Sequence, residues 1–229
     1  YFPQHLPGLS RSEYLLMGAV SALLLFVCVL IHELSHSYVS NLLGLGIEEI
    51  TLFIFGGVAK LSREPDDAKT ELKIAVAGPV ASLVLAGLFF LLREVLDRVT
   101  YAPVVSEVIG FLVFINLVLL IFNMIPGFPL DGGRVLRALW WMKTGDLKGS
   151  TRIASQIGKG FAAFLIVMGF LQLVSGYFIN GLWGILIGLF LRYAAESTYK
   201  QTLIKSALQN VKVSDVMTRH IITIESGMT

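Results

Sequence analysis

Apolar residues along this chain gather in five nearly uncharged blocks, at 14–39, 74–92, 108–122, 161–174 and 178–191, and the charged residues collect between them. Crossing the hydrocarbon core of a bilayer takes about 20 residues of helix, so each block reads as a candidate span. Two of them, 108–122 and 161–174, are short. Asn123, Lys159 and Gly160 at their ends fit an interface or a wet cavity, which keeps both as spans. The pattern predicts an α-helical integral membrane bundle with about five spans.

Between the first two blocks the period changes. Residues 47–55 are rich in Ile, Phe and Thr, Gly56-Gly57 follows, and 58–61 is again apolar, which predicts a small β-hairpin or sheet at one membrane face. It reads either as a packing cap over the helix ends or as an open edge that holds an unwound peptide by strand addition. Pro65, Asp66 and Asp67 then lead into the second span.

Composition agrees with the pattern. Hydrophobic residues make up 55% of the chain and charged residues 15%, against roughly 45–50% and 25% in soluble domains. The cations are distributed unevenly: all lysines and arginines except Arg11, Arg93 and Arg98 fall on the side reached after the first, third and fifth spans. The positive-inside rule makes that side cytoplasmic, the start external and the hairpin cytoplasmic. A net charge of +2, explained by this asymmetry, implies no nucleic-acid partner. The single cysteine, Cys28, excludes an intrachain disulfide, and it reads as a small buried hydrophobe or, less simply, as a group near a metal.

The chemistry sits at the end of the first span, in His32-Glu33-Leu34-Ser35-His36. On a helix, His32 and His36 share a face one turn apart, where two imidazoles grip one metal ion while Glu33 stands beside them as a base. A catalytic zinc takes three protein ligands, so one is still to be found. Asp131, in the run Asn123-Met-Ile-Pro-Gly-Phe-Pro-Leu-Asp-Gly-Gly133, lies on the same side of the membrane at a similar depth. Taken alone it reads as the N-cap of a helix beginning near Arg134; at membrane depth an unpaired carboxylate is costly, and a metal would neutralise it. Pro126 and Pro129 interrupt the third helix just before it. Asn116 and Asn123, seven residues apart, fall nearly on one helix face. Asn116 reads equally as an interhelical hydrogen bond or as part of a path for water, and Asn123 as a donor to a substrate carbonyl.

These residues carry a family resemblance. HELSH near the end of a span, followed about a hundred residues later by NMIPGFPLDGG, closely resembles the site-2 protease family of intramembrane zinc metalloproteases, with its HExxH and N-x-x-P-x-x-P-x-D-G signatures. The likeness covers roughly residues 9–208, including FGGVA and Gly78-Pro79. It implies zinc bound by His32, His36 and Asp131, Glu33 as the catalytic base, and hydrolysis of peptide bonds within or near transmembrane segments, as in regulated intramembrane proteolysis. It also implies a prokaryotic cell membrane, and a bilayer and a transmembrane protein or peptide substrate as partners; the cation asymmetry puts His36, and with it the active site, at the cytoplasmic end of its helix.

Departures from the family pattern are informative. Ser82 stands where some members carry an asparagine in GPxxN, which leaves that position without an assured polar role. The branch usually has one more span before the HExxH helix, so six are expected in the complete protein. Residues 1–208 read as the metalloprotease domain, and 209–229 as a linker and the start of a CBS-type domain, the remainder of which would bind adenine nucleotides.

Other positions read as structural. Gly184 and Gly188 form a close helix contact or a dimer face. Arg134 and Arg137 are explained by the positive-inside rule, with substrate contact as the alternative. His5 and His220 read as surface residues, and Trp140-Trp141 as an interfacial anchor. Two rival functions are a catalytically silent zinc protein that binds membrane segments and a CBS-regulated transporter. Loss of Glu33 would mark the first, and several broken helices the second.

Overall fold

The computed structural model describes residues 1–53, 56–61 and 65–208. The interval 209–229, with the expected linker, the CBS-like start and His220, lies outside the described residues. A short helix, α1 (Phe2–His5), precedes α2 (Arg11–Leu42). After it come strands β1 (Ile47–Phe53) and β2 (Gly56–Leu61), then α3 (Ala68–Val99), α4 (Pro103–Asn123), α5 (Asp131–Thr144), α6 (Leu147–Val174) and α7 (Phe178–Leu208). Five of these helices, α2, α3, α4, α6 and α7, are long and apolar enough to cross a membrane. β1 and β2 pair antiparallel, with Thr51 opposite Val58 and Phe53 opposite Gly56.

The helices run well past the apolar blocks. Polar and charged ends such as Arg11–Glu13, Lys69–Lys73 and Arg93–Arg98 are good helix formers, so the backbone stays helical through the interface after the hydrophobic run has ended. The starts of α2 and α3 are capped. Ser10 and Glu13 form a reciprocal capping box on α2, the Ser10 N–H donating to Glu13 Oε2 at 2.7 Å. Asp67 Oδ1 accepts from the N–H groups of Lys69 and Thr70, both at 2.9 Å, at the head of α3. Thr70, through its hydroxyl and then its backbone N–H, holds the Asp67 carboxyl below its ordinary pKa.

Burial is inverted relative to a soluble protein. Large apolar side chains point outward, among them Leu15, Leu23, Phe26, Leu83, Phe90, Ile121, Phe170 and Ile179, and the interior holds Ser21, Ser40, Ala75, Ser82, Ala86, Asn116, Ala154 and Ala162. Lipid is as apolar as leucine, so nothing drives large side chains inward, and small residues let the backbones approach. The α6–α7 contact shows this clearly: a Cβ on Gly169 would come within 2.7 Å of the Gly181 carbonyl, and one on Gly188 within 2.7 Å of Ile166 Cγ1. Gly184 and Gly188 therefore serve a helix contact inside the chain.

α3 packs on α2, α4 and α5, while α6 and α7 form a hairpin that meets the rest largely through α5 and the segment between α4 and α5. That segment, 124–130, is pinned to α6. The Phe128 N–H donates to the Ala154 carbonyl at 3.1 Å, and Gly158 leaves no room for a side chain beside the Phe128 carbonyl. Gly158→Val is expected to lower stability by about 1–3 kcal/mol through overpacking, read as an earlier thermal unfolding midpoint in detergent.

Candidate metal centre

Three side chains from two distant parts of the chain, His32 and His36 on α2 and Asp131 at the start of α5, converge inside the bundle. His32 Nε2 lies 3.1 Å from Asp131 Oδ2, His36 Nε2 lies 3.2 Å from the same oxygen, and the two Nε2 atoms are 3.3 Å apart. Both histidines are buried, and the Asp131 side chain is 14% exposed. The α-helical spacing of HELSH brings the imidazoles together, and antiparallel packing brings α3 alongside them. His36 stands six residues before the end of α2 and meets Ile74, six residues after the start of α3.

The opposite ring nitrogens fix the ring orientations and, for His36, the tautomer. The Ile74 carbonyl can only accept, so His36 Nδ1–H donates to it at 2.7 Å, and Nε2 is left with its lone pair facing the cluster. His32 Nδ1 is 2.9 Å from Ser82 Oγ, a contact that likewise turns Nε2 inward. Ser82 is fully buried, so the position that lacks the asparagine keeps a polar role through its hydroxyl. Pro79 removes the N–H that would have bonded the Ala75 carbonyl, loosening the turn of α3 from which the Ile74 carbonyl reaches His36.

The donor triangle suits zinc. Four ligands arranged tetrahedrally at about 2.0–2.1 Å from zinc stand about 3.3–3.4 Å from one another, close to the three separations found here. Two imidazoles and a carboxylate are also a donor set zinc favours. The wall facing them is backbone: a Cβ on Gly78 would fall within 2.5 Å of His32 Nε2 and nearer still to His36 Nε2. His32, His36 and Asp131 are thus placed to hold one metal ion.

Asp131 reaches this position differently from the simplest sequence expectation. α5 begins at Asp131 itself, and Leu130 occupies the N-cap with no side-chain cap bond, so Asp131 is not the cap of a helix starting at Arg134. Gly132 and Gly133 do not break the chain; they let the first turn of α5 press against the backbone of Met124–Ile125 and Gly127–Phe128. Glu33, next to His32 on α2, is half-buried, and Asn123, also half-buried, is the last residue of α4. Asn116 is an interhelical joint: its amide donates to the Leu112 carbonyl at 2.8 Å and to Cys28 Sγ at 3.3 Å. Cys28 is engaged there and is not among the three clustered donors.

One interaction beside the site has no counterpart in the sequence reading. Glu71 on α3, 1% exposed, accepts from Arg137 of α5, whose Nε lies 2.7 Å from Oε1 and whose Nη2 meets the same oxygen. Arg134 Nε is 3.9 Å from it. The two arginines therefore meet an internal carboxylate, beyond their part in the cation asymmetry. The available signal was Glu71 itself, an acid at the head of an apolar block, where a buried charge demands a partner.

Comparison with known proteins agrees with this geometry. The family model of peptidase family M50 matches residues 20–104 and 94–168. A protein of Synechocystis sp. named as a zinc metalloprotease is 38% identical over 97% of this chain and 58% of its own length. A zinc metalloprotease of Methanocaldococcus jannaschii is 35% identical over 97% of this chain and 62% of its own. The chain thus spans about three fifths of the length of these relatives. Among solved structures, the site-2 protease from Methanocaldococcus jannaschii matches with a TM-score of 0.61 at 32% identity, covering 82% of this chain and 88% of that one.

Gly78→Ala is expected to abolish zinc retention, because the added methyl overlaps both ligand nitrogens; elemental analysis of the purified protein reads this directly. Ser82→Ala should leave the fold intact and weaken zinc binding on the order of 10–100-fold, measured by chelator competition, since His32 loses the partner that orients it.

Proposed function

This chain belongs to peptidase family M50, the site-2 protease family, and we propose that it is an intramembrane zinc metalloprotease cleaving peptide bonds within or near transmembrane segments of other membrane proteins. The observation that carries the reading is the buried triangle of His32, His36 and Asp131 inside a five-span integral membrane bundle. Residues 1–208 form the proposed protease domain. The one-sided distribution of lysine and arginine supports a cytoplasmic position for the site, and the likeness to proteins of Synechocystis sp. and Methanocaldococcus jannaschii supports a prokaryotic cell membrane.

In the proposed mechanism His32, His36 and Asp131 hold zinc, which when bound polarises the peptide carbonyl as a Lewis acid and makes water a stronger acid. Glu33 accepts the proton that water releases as its oxygen bonds to the carbonyl carbon. It then delivers that proton to the amine nitrogen as the C–N bond breaks. Asn123, at the end of α4 and just before the segment leading to Asp131, is assigned as a hydrogen-bond donor to the substrate carbonyl oxygen. The Ile74 carbonyl keeps His36 in the required tautomer, and Ser82 orients the His32 ring.

A helical substrate keeps its carbonyls in its own hydrogen bonds, so the segment to be cut has to unwind. The two-stranded β1–β2 ladder, following α2 directly, offers an edge for the extended peptide by strand addition. Substrates with glycine or proline near the cut should be processed faster than versions rebuilt from strong helix formers. Equal rates across such a series would refute the unwinding step.

Glu33→Gln should retain zinc and lose cleavage of a membrane-spanning peptide by a factor on the order of 10²–10⁴. Unchanged cleavage would remove Glu33 as the base. Asp131→Ala should lose the metal itself, and full zinc occupancy in that variant would refute the third ligand.

A further inference from the structure

We infer that the buried Glu71–Arg137 pair is a positioning device that sets Asp131 against the two histidines, making metal affinity depend on a contact outside the metal's own ligands. The inference rests on the metal reading of His32, His36 and Asp131.

The zinc ligands come from α2 and α5, and α3 is the element both are built against. α2 is registered to α3 directly, by His36 on the Ile74 carbonyl and His32 on Ser82. Among the described residues, Asp131 contacts the two histidines of α2 and has no comparable hydrogen bond to α3. What fixes α5 to α3 is Glu71, which lies seven residues before Gly78, about 10.5 Å along the helix axis. Arg137 lies six residues after Asp131, about 9 Å along α5. The two intervals nearly match, so α3 and α5 run in opposite directions with the ion pair at one end and the donor triangle, against Gly78, at the other. A slip of α5 by one turn, about 5.4 Å, would carry Asp131 Oδ2 out of reach of both imidazoles.

The chemistry of the pair suits a register pin. Glu71 is 1% exposed and accepts from two nitrogens of one guanidinium, with Arg134 beside it. A carboxylate so buried tolerates no shift that leaves it unpaired. Arg137 also lies over the Phe128 ring, with Cζ 5.0 Å from its centroid, and the Phe128 N–H is bonded to α6. One guanidinium therefore grips α3 through Glu71 and the 124–130 segment through Phe128, bracketing Asp131 from both sides. Lysine would supply the charge without the planar fork or the ring contact.

The test uses the full chain in lipid nanodiscs, with zinc affinity read by chelator competition and the unfolding midpoint of the metal-free protein read alongside. Arg137→Lys and Glu71→Gln are expected to weaken zinc binding on the order of 10–100-fold. Should either single variant fail to fold, the neutral double variant Glu71→Gln, Arg137→Gln carries the same expectation. Ser155→Ala, which removes a buried α6–α7 hydrogen bond to the Ala195 carbonyl, is the control for general destabilisation and should keep its zinc affinity. Parental affinity in the clamp variants would overturn the inference, as would an equal loss of affinity in Ser155→Ala. His32→Ala separates the two levels: it should lose zinc whatever the clamp does, and retention there would refute the metal reading beneath it.

Discussion

Three electron-rich atoms held within 3.3 Å of one another inside a membrane bundle are the constraint on which the rest of this structure turns. With each Nδ1 engaged by a neighbour, both Nε2 atoms face one another and a carboxylate oxygen, a grouping that needs a proton or a metal ion among them to hold together. Water cannot relieve the strain at membrane depth as it would at a surface. Every other feature around the site supplies hydrogen bonds, space or counter-charge so that this otherwise unfavourable grouping persists.

α3 does most of that work along one face. Glu71, Ile74, Gly78 and Ser82 recur at intervals of about one helical turn, and each acts in a different way on the site. Glu71 engages α5, the Ile74 carbonyl and Ser82 orient the two histidines, and Gly78 is where the backbone comes close enough to leave the cluster room. The helix contributes no metal ligand, yet the site's geometry is written along it. Small interior residues elsewhere follow the same logic: where lipid surrounds the bundle, close backbone approach and satisfied polar groups replace the large apolar core of a soluble protein.

Much of this was legible in the sequence for identifiable reasons. HELSH is a local pattern whose meaning depends only on helical period, and the apolar blocks report bilayer thickness directly. Several helix ends were not legible from hydropathy because charged helix formers carry α2, α3, α6 and α7 past their apolar blocks at one end or both. Asp131 was ambiguous because an acid just before a helix expected near Arg134 reads as its N-cap, whereas α5 begins at Asp131 itself and Gly132 and Gly133 admit close packing at its start. Ser82 and the Glu71–Arg137 pair eluded the residue pattern for another reason: their partners lie 50 and 66 residues away, and no periodicity encodes which distant side chain a helix will meet.

The backbone wall at Gly78 also limits how the centre can be altered. A side chain can be exchanged for a harder, softer or bulkier one; a peptide backbone cannot, and any Cβ there intrudes on the ligands. Attempts to retune the metal preference by mutagenesis thus have no handle at this position, and the accessible variables are the ligands at 32, 36 and 131 and the polar group at 82. One side of the coordination space is fixed by main-chain geometry, leaving selection, natural or in the laboratory, to act from the other.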